Sequence, residues 1–144
     1  MSNFDNSLFI KACRCQETER PPVWFMRQAG RYMADYHKVR AKASFIEICK
    51  TPELACEVTL QPIKRFGFDA SIIFSDILFP CEAMGLPLEF YDGKGPVFSK
   101  RIETPEDVKN TSPAPAGDLD FVYRAISRTR KALDEFDTPL IGFA

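Results

Sequence analysis

Short continuous apolar runs alternate along this chain with segments whose apolar residues recur at helical spacing. Three runs read as buried strands: Val23-Trp24-Phe25-Met26, residues 69–74 with Ile72-Ile73-Phe74 at their end, and residues 138–144 around Leu140-Ile141. Between them, breakers and caps predict helices. Residues 7–14 form a short one, before Pro21-Pro22 interrupts the chain. Thr51-Pro52-Glu53 opens a longer one, with Thr51 as N-cap, proline at the first helical position and an acid in the first turn. It is expected to reach Phe66 with a kink near Val58, because Pro62 has no N–H to donate. Residues 77–84 predict another short helix, ended by Gly85. Thr104-Pro105 starts a brief helix to about Lys109. From Asp118, the spacing of Leu119, Val122, Tyr123, Ile126 and Leu133 gives an amphipathic helix that turns Arg124, Arg128 and Lys131 outward. Leu88-Glu89-Phe90-Tyr91 and Val97-Phe98-Ser99 flank the turn residues Asp92-Gly93-Lys94-Gly95, which predicts a β-hairpin.

Buried strands alternating with helices imply an α/β architecture, a parallel sheet of βαβ units whose strands are covered by helices. Three such strands do not make a closed architecture. The hairpin is then an insertion, and residues 1–144 form a single domain without internal repeats.

Composition narrows the possible partners. The chain has 144 residues, 27% of them charged, and a net charge of -1, so a general nucleic-acid binder is not expected and any anion affinity must be local. The start, Met1-Ser2-Asn3-Phe4-Asp5, lacks a basic leader region, and no apolar run approaches the roughly 18 residues a membrane helix needs, which points to a cytoplasmic protein. Five cysteines at irregular spacing suit reduced thiols. Cys13, Cys15 and the single histidine, His37, are the one conceivable donor set, but Cys-x-Cys has no matching second half, so no metal site is expected. Walker, Rossmann and Gly-x-Ser-x-Gly motifs are absent.

In α/β folds of this kind, ligand groups gather in loops leaving the carboxyl ends of strands. Two stretches qualify. Met26-Arg27-Gln28-Ala29-Gly30-Arg31-Tyr32 puts two guanidinium groups directly after an apolar run, with small residues between them that let backbone approach a ligand. Arg27 and Arg31 thus form a fork for at least two acidic groups, and Arg40 continues the basic character beside Lys38 and Lys42. The plainer alternative pairs these arginines with acids such as Asp35 and Glu47; for the two lysines and the arginines after residue 120, ordinary surface ion pairing is the expectation. The second stretch, Ile73-Phe74-Ser75-Asp76-Ile77-Leu78, delivers a carboxylate as a strand ends. Asp76 suits either a ligand group or the cap of the helix that follows. Gly93-Lys94-Gly95-Pro96 is better explained by a hairpin turn than by an anion-binding nest, and Phe25, Phe74, Phe79 and Phe143 by core packing, although Phe143 at a strand end stays open.

At these residues the sequence resembles the uroporphyrinogen decarboxylases. Pro22-Val23-Trp24 with the Met26–Tyr32 stretch resembles that family's amino-terminal signature, and Ile73–Leu78 its aspartate strand. Residues 54–62, Gly93-Lys94-Gly95-Pro96 and residues 139–144 look like further family segments in the right order. The resemblance implies the amino-terminal part of a (β/α)8 TIM barrel, without cofactor and usually a homodimer, which decarboxylates the four acetate arms of uroporphyrinogen to give coproporphyrinogen in haem biosynthesis. It implies that Arg27, Gln28, Ala29, Gly30 and Arg31 grip the substrate's carboxylates, that Arg40 and Phe143 join the binding surface, and that Asp76 accepts the pyrrole N–H groups. Arg27 and Asp76 become the candidate catalytic residues. A complete barrel takes about 250 residues, and by resemblance a tyrosine, a serine and a histidine of the pocket lie in segments absent from these 144. Two other readings carry different expectations: a zinc-binding methyltransferase of the same superfamily, or a fragment that binds an anion or mediates assembly without catalysis.

Overall fold

A computed structural model of the chain describes residues 4–25, 32–91 and 95–143. The architecture is mixed helix and strand. Helix α1 (Leu8–Cys13) begins where Ser7 Oγ accepts the Ile10 N–H at 3.3 Å. Two further helices, α2 (Ala34–Arg40) and α3 (Phe45–Lys50), fall where the hydrophobic pattern predicts none. A local signal did exist for α3, a capping box in which Ser44 and Glu47 satisfy each other's backbone N–H groups.

Helix α4 (Pro52–Phe66) starts and stops as the sequence predicts, although Thr51 makes no side-chain cap bond. It continues as one helix across Pro62 and ends at Gly67, whose φ of 64° no other residue type adopts as cheaply. Eight of its residues are buried, among them Ala55, Cys56, Val58, Thr59, Leu60 and Ile63, so it sits at the centre of the molecule. Cys56, Leu60 and Ile63 pack with Phe4 and Leu133, Val58 packs with Met33, Tyr36, Val39 and Ile48, and Ala55 packs with Ile73 and Ala125. Each fully buried aliphatic side chain of this set stabilises the fold by about 1.5–3 kcal/mol.

Strand β1 (Ser71–Ile72) leads into helix α5 (Phe79–Ala83), which is shorter than the predicted 77–84 because residues 77 and 78 form a turn. The hairpin is present: β2 (Leu88–Tyr91) pairs antiparallel with β3 (Gly95–Phe98), with Leu88 opposite Phe98 and Tyr91 opposite Gly95. Residues 92–94, at its turn, lie outside the described residues. Helix α6 (Pro105–Lys109) follows a Thr104–Asp107 capping box. A 3-10 turn (Ala116–Leu119) precedes helix α7 (Asp120–Ala132), which buries Ala125 and Thr129 and leaves Arg124, Arg128 and Lys131 exposed as expected. Tyr123, predicted on the apolar face, is exposed instead. The chain then reaches β4 (Leu140–Ile141), parallel to β1 with Ser71 opposite Leu140 and Ile72 opposite Ile141.

The expectation of about three parallel strands therefore needs correction: two are paired among the described residues. Residues 23–25 adopt no strand, and Val23 and Phe25 are exposed rather than buried. Their link to the β1 segment is local: Asp69 N–H donates to Val23 O at 3.0 Å, Val23 N–H donates to Asp69 Oδ2 at 2.7 Å, and Arg20 clasps the same carboxylate. A single backbone bond does not make a ladder, and an apolar run without neighbours on both sides stays uncovered.

Candidate functional site

The ladder between β1 and β4 ends with Ser71 N–H donating to Pro139 O at 2.9 Å and Ile73 N–H donating to Ile141 O at 3.1 Å. Beyond it the chain leaves the sheet. The next amide, Phe74 N–H, donates to Thr59 Oγ1 on α4 at 2.9 Å, and Thr59 Oγ1 donates its own hydrogen to Ala55 O at 2.7 Å. The Phe74 ring lies between Tyr36 of α2 and Phe45 of α3, with centroids 5.9 and 5.5 Å away. Phe45 in turn meets Phe90 of the hairpin at 5.3 Å, so three separate elements converge around this strand end.

Two residues later comes Asp76, half-buried, whose Oδ1 accepts the Leu78 N–H at 2.8 Å. The carboxylate thus closes an Asx turn ahead of α5, and Leu78, not Asp76, is the N-cap position of that helix. The capping alternative raised from sequence is realised in this shifted form. It does not compete with a ligand role, since a carboxylate has further lone pairs to offer. Burial pushes the Cys49 thiol of α3 up to about 12, and the negative charge of Asp76 adds to the effect, so this thiol stays protonated within the electrostatic reach of the carboxylate. Lys50, the next residue, pairs with Glu82 at 2.8 Å and lies over the Phe79 ring, tying α3 to α5.

Other predicted residues lie as follows. Phe143 stands two residues beyond Ile141, level with Phe74 in the parallel register and therefore at the same end of the sheet, and it is exposed. Phe79 is core at 1% exposure, Phe74 is half-buried, and Phe25 at 60% is not core. Arg40, at the end of α2, is half-buried and donates through Nη1 to Ala43 O at 2.8 Å, with no carboxylate partner among the described residues. Arg27, Gln28, Ala29, Gly30 and Arg31 lie outside the described residues. The two acids offered as their alternative partners have local ones: Asp35 pairs with Lys38 at 2.8 Å, and Glu47 accepts the Ser44 N–H at 2.7 Å. Both carboxyls are held below the ordinary range, by Lys38 and by the Ser44 bonds respectively. Two of the later arginines form surface pairs, Arg128 with Glu53 at 3.4 Å and Arg130 with Asp134 at 3.0 Å.

Sequence reasoning missed Thr59 and Cys49. A threonine inside a helix that is otherwise apolar on its buried side was the available signal for the first; nothing local marked the second. Cys13 and Cys15 are exposed, and no group of three or more metal-binding side chains is assembled among the described residues.

Comparison with known proteins adds an independent line. The sequence model of the uroporphyrinogen decarboxylase family matches residues 4–144. The chain is 50% identical over 140 residues to the uroporphyrinogen decarboxylase of Dichelobacter nodosus, covering 96% of this chain and 40% of that protein. It is 53% identical over 136 residues to that of Thermodesulfovibrio yellowstonii, covering 94% and 39%, and 50% identical over 143 residues to that of Schizosaccharomyces pombe, covering 96% and 40%. It spans about two fifths of the length of these curated relatives. Among solved structures, a methyltransferase from Methanosarcina mazei superposes with a TM-score of 0.66 at 19% identity, over 94% of this chain and 41% of that one. This likeness concerns the fold alone and, with the family match, implies a TIM-barrel-like arrangement.

Proposed function

Since this chain belongs to the uroporphyrinogen decarboxylase family, we propose that it forms the amino-terminal part of a (β/α)8 barrel that decarboxylates uroporphyrinogen to coproporphyrinogen without a cofactor. The observation that supports this most directly is Asp76, which follows the carboxyl end of β1 with one oxygen held by the Leu78 N–H. In this reading Asp76 receives the inward N–H groups of the tetrapyrrole and stabilises the cation formed when a pyrrole carbon is protonated before carbon dioxide leaves. Two unit charges about 4 Å apart at an effective dielectric near 20 interact by roughly 4 kcal/mol. Applied only in the transition state, that is roughly a thousandfold in rate. Arg27, Gln28, Ala29, Gly30 and Arg31 clamp rim carboxylates, with Arg40 as a further cation and Phe143 as an apolar contact. The protein works in the cytoplasm as a homodimer or related self-assembly.

The test is anaerobic calorimetry of the purified chain with coproporphyrinogen, comparing wild type with Arg27→Ala and Asp76→Ala. Weakened binding in both variants is the expected result. Absence of binding in every form leaves only a structural or assembly role and overturns the reading. The isolated 144 residues are expected to have little decarboxylase activity, and turnover near that of a full-length relative contradicts that expectation.

A further inference from the structure

We infer that Thr59 is a positioning residue for Asp76, an inference that deepens the proposed function and depends on it for its catalytic meaning. The argument begins where the parallel ladder stops. Ile73 N–H is the last of the β1 segment to reach a β4 carbonyl, and Phe74 N–H, directed away from that ladder, needs another acceptor. The acceptor is a side chain on a different element, Thr59 Oγ1 at 2.9 Å. Thr59 is 1% exposed, so water does not substitute for it. Its hydroxyl hydrogen is committed to Ala55 O at 2.7 Å, which leaves the lone pairs of the oxygen directed at the incoming amide.

This bond sets the path of the next residues. Phe74 is pinned through its amide to α4 and through its ring to Tyr36 and Phe45. Only Ser75 separates it from Asp76, whose Oδ1 then closes onto Leu78 N–H. The segment carrying Asp76 is thereby held from both sides, through the Phe74 amide on Thr59 before it and through the Leu78 amide on its carboxylate after it. A valine at position 59 has the same shape but no acceptor; the Phe74 amide then loses its partner and the strand end is free to shift, carrying Asp76 with it. Serine keeps the acceptor and loses only a methyl group.

Amide hydrogen exchange followed by NMR on the 15N-labelled chain tests this, because Leu78 N–H reports whether the Asp76 carboxylate is in place. Wild type, Thr59→Ser, Thr59→Val and Thr59→Ala are compared, each checked for native circular dichroism. In Thr59→Val and Thr59→Ala the Phe74 and Leu78 amides are expected to exchange about tenfold faster or more, with those of α7 unchanged, while Thr59→Ser stays near wild type. A folded valine or alanine variant with unaltered Leu78 exchange overturns the inference. So does a serine variant that loses Leu78 protection, or a wild-type chain in which the Phe74 and Leu78 amides are unprotected. If neither Thr59→Val nor Thr59→Ala folds, the wild-type and serine measurements decide alone. Calorimetry with coproporphyrinogen on Asp76→Asn separates the two layers: binding like wild type removes the substrate role of Asp76, whereas the Leu78 readout judges Thr59 independently.

Discussion

Asp69 illustrates how much one side chain organises here. Its carboxylate takes both Arg20 guanidinium nitrogens at 2.7 Å and the Val23 N–H at 2.7 Å, fastening residues 20–23 to the start of the β1 segment. The Arg20 bonds, followed by that of Val23, hold its carboxyl below the ordinary range. A depressed folded value means that the contribution to stability is present above the unfolded value, about 3.9, and is lost as pH falls through the folded one. Urea midpoints measured across pH 7 to 2 should therefore decline less steeply in Asp69→Asn than in wild type. Thiol chemistry is equally residue-specific. With its thiol pushed up to about 12, Cys49 is thiolate in only on the order of one molecule in ten thousand at pH 8. Mass-spectrometric mapping of maleimide labelling at that pH should find Cys13 and Cys15, both exposed, modified long before Cys49.

At the scale of elements, two helix ends solve the same problem with different residues. Helix α4 closes on Gly67 at φ 64°, its N–H donating to Ile63 O at 2.9 Å. Helix α1 closes with Cys15 at φ 55°, where Gln16 N–H reaches Lys11 O at 2.9 Å and Cys15 N–H reaches Ala12 O at 3.0 Å, the paired bonds of a Schellman motif. A Cβ at Gly67 meets no atom within 4 Å, so Gly67→Ala tests backbone strain alone. It should destabilise the fold by about 1 kcal/mol, read as a lower urea midpoint. Cys15→Gly relieves the matching strain and should stabilise the fold by about 0.5 kcal/mol, read as a higher midpoint, part of the gain being offset by the freer unfolded chain.

Across the whole molecule, helix α4 supplies residues to all three core clusters, while the sheet remains two strands wide among the described residues. Beside it, Phe25 and Phe66 are exposed and joined through Phe68, with centroids at 5.3 and 5.4 Å. An exposed aromatic patch of this kind favours association between copies. Light scattering over micromolar concentrations should show concentration-dependent mass in wild type and a weaker dependence in Phe25→Ser/Phe66→Ser. A monodisperse monomer at every concentration contradicts this.

What could be read from the sequence alone was whatever local chemistry dictates. Proline and glycine set the limits of α4, threonine and proline opened α6, and alternation around turn residues drew the hairpin, because caps, breakers and period-two patterns act through neighbours in the chain. The Asp76 motif was legible in the same way, as an acid following an apolar strand. The exposure of Val23 and Phe25 was not, since a run of apolar side chains states a preference for cover without stating whether a neighbour supplies it. Helix α2 gave no local signal strong enough to predict, and its Tyr36 finds its place against Phe74 and in the cluster around Val58. The hold of Thr59 on the Asp76 strand joins residues 15 apart, through an amide that becomes unsatisfied only once the ladder to β4 has ended. Tertiary packing alone decided that contact, because an orphaned backbone donor acquires a particular partner only when the elements around it are assembled.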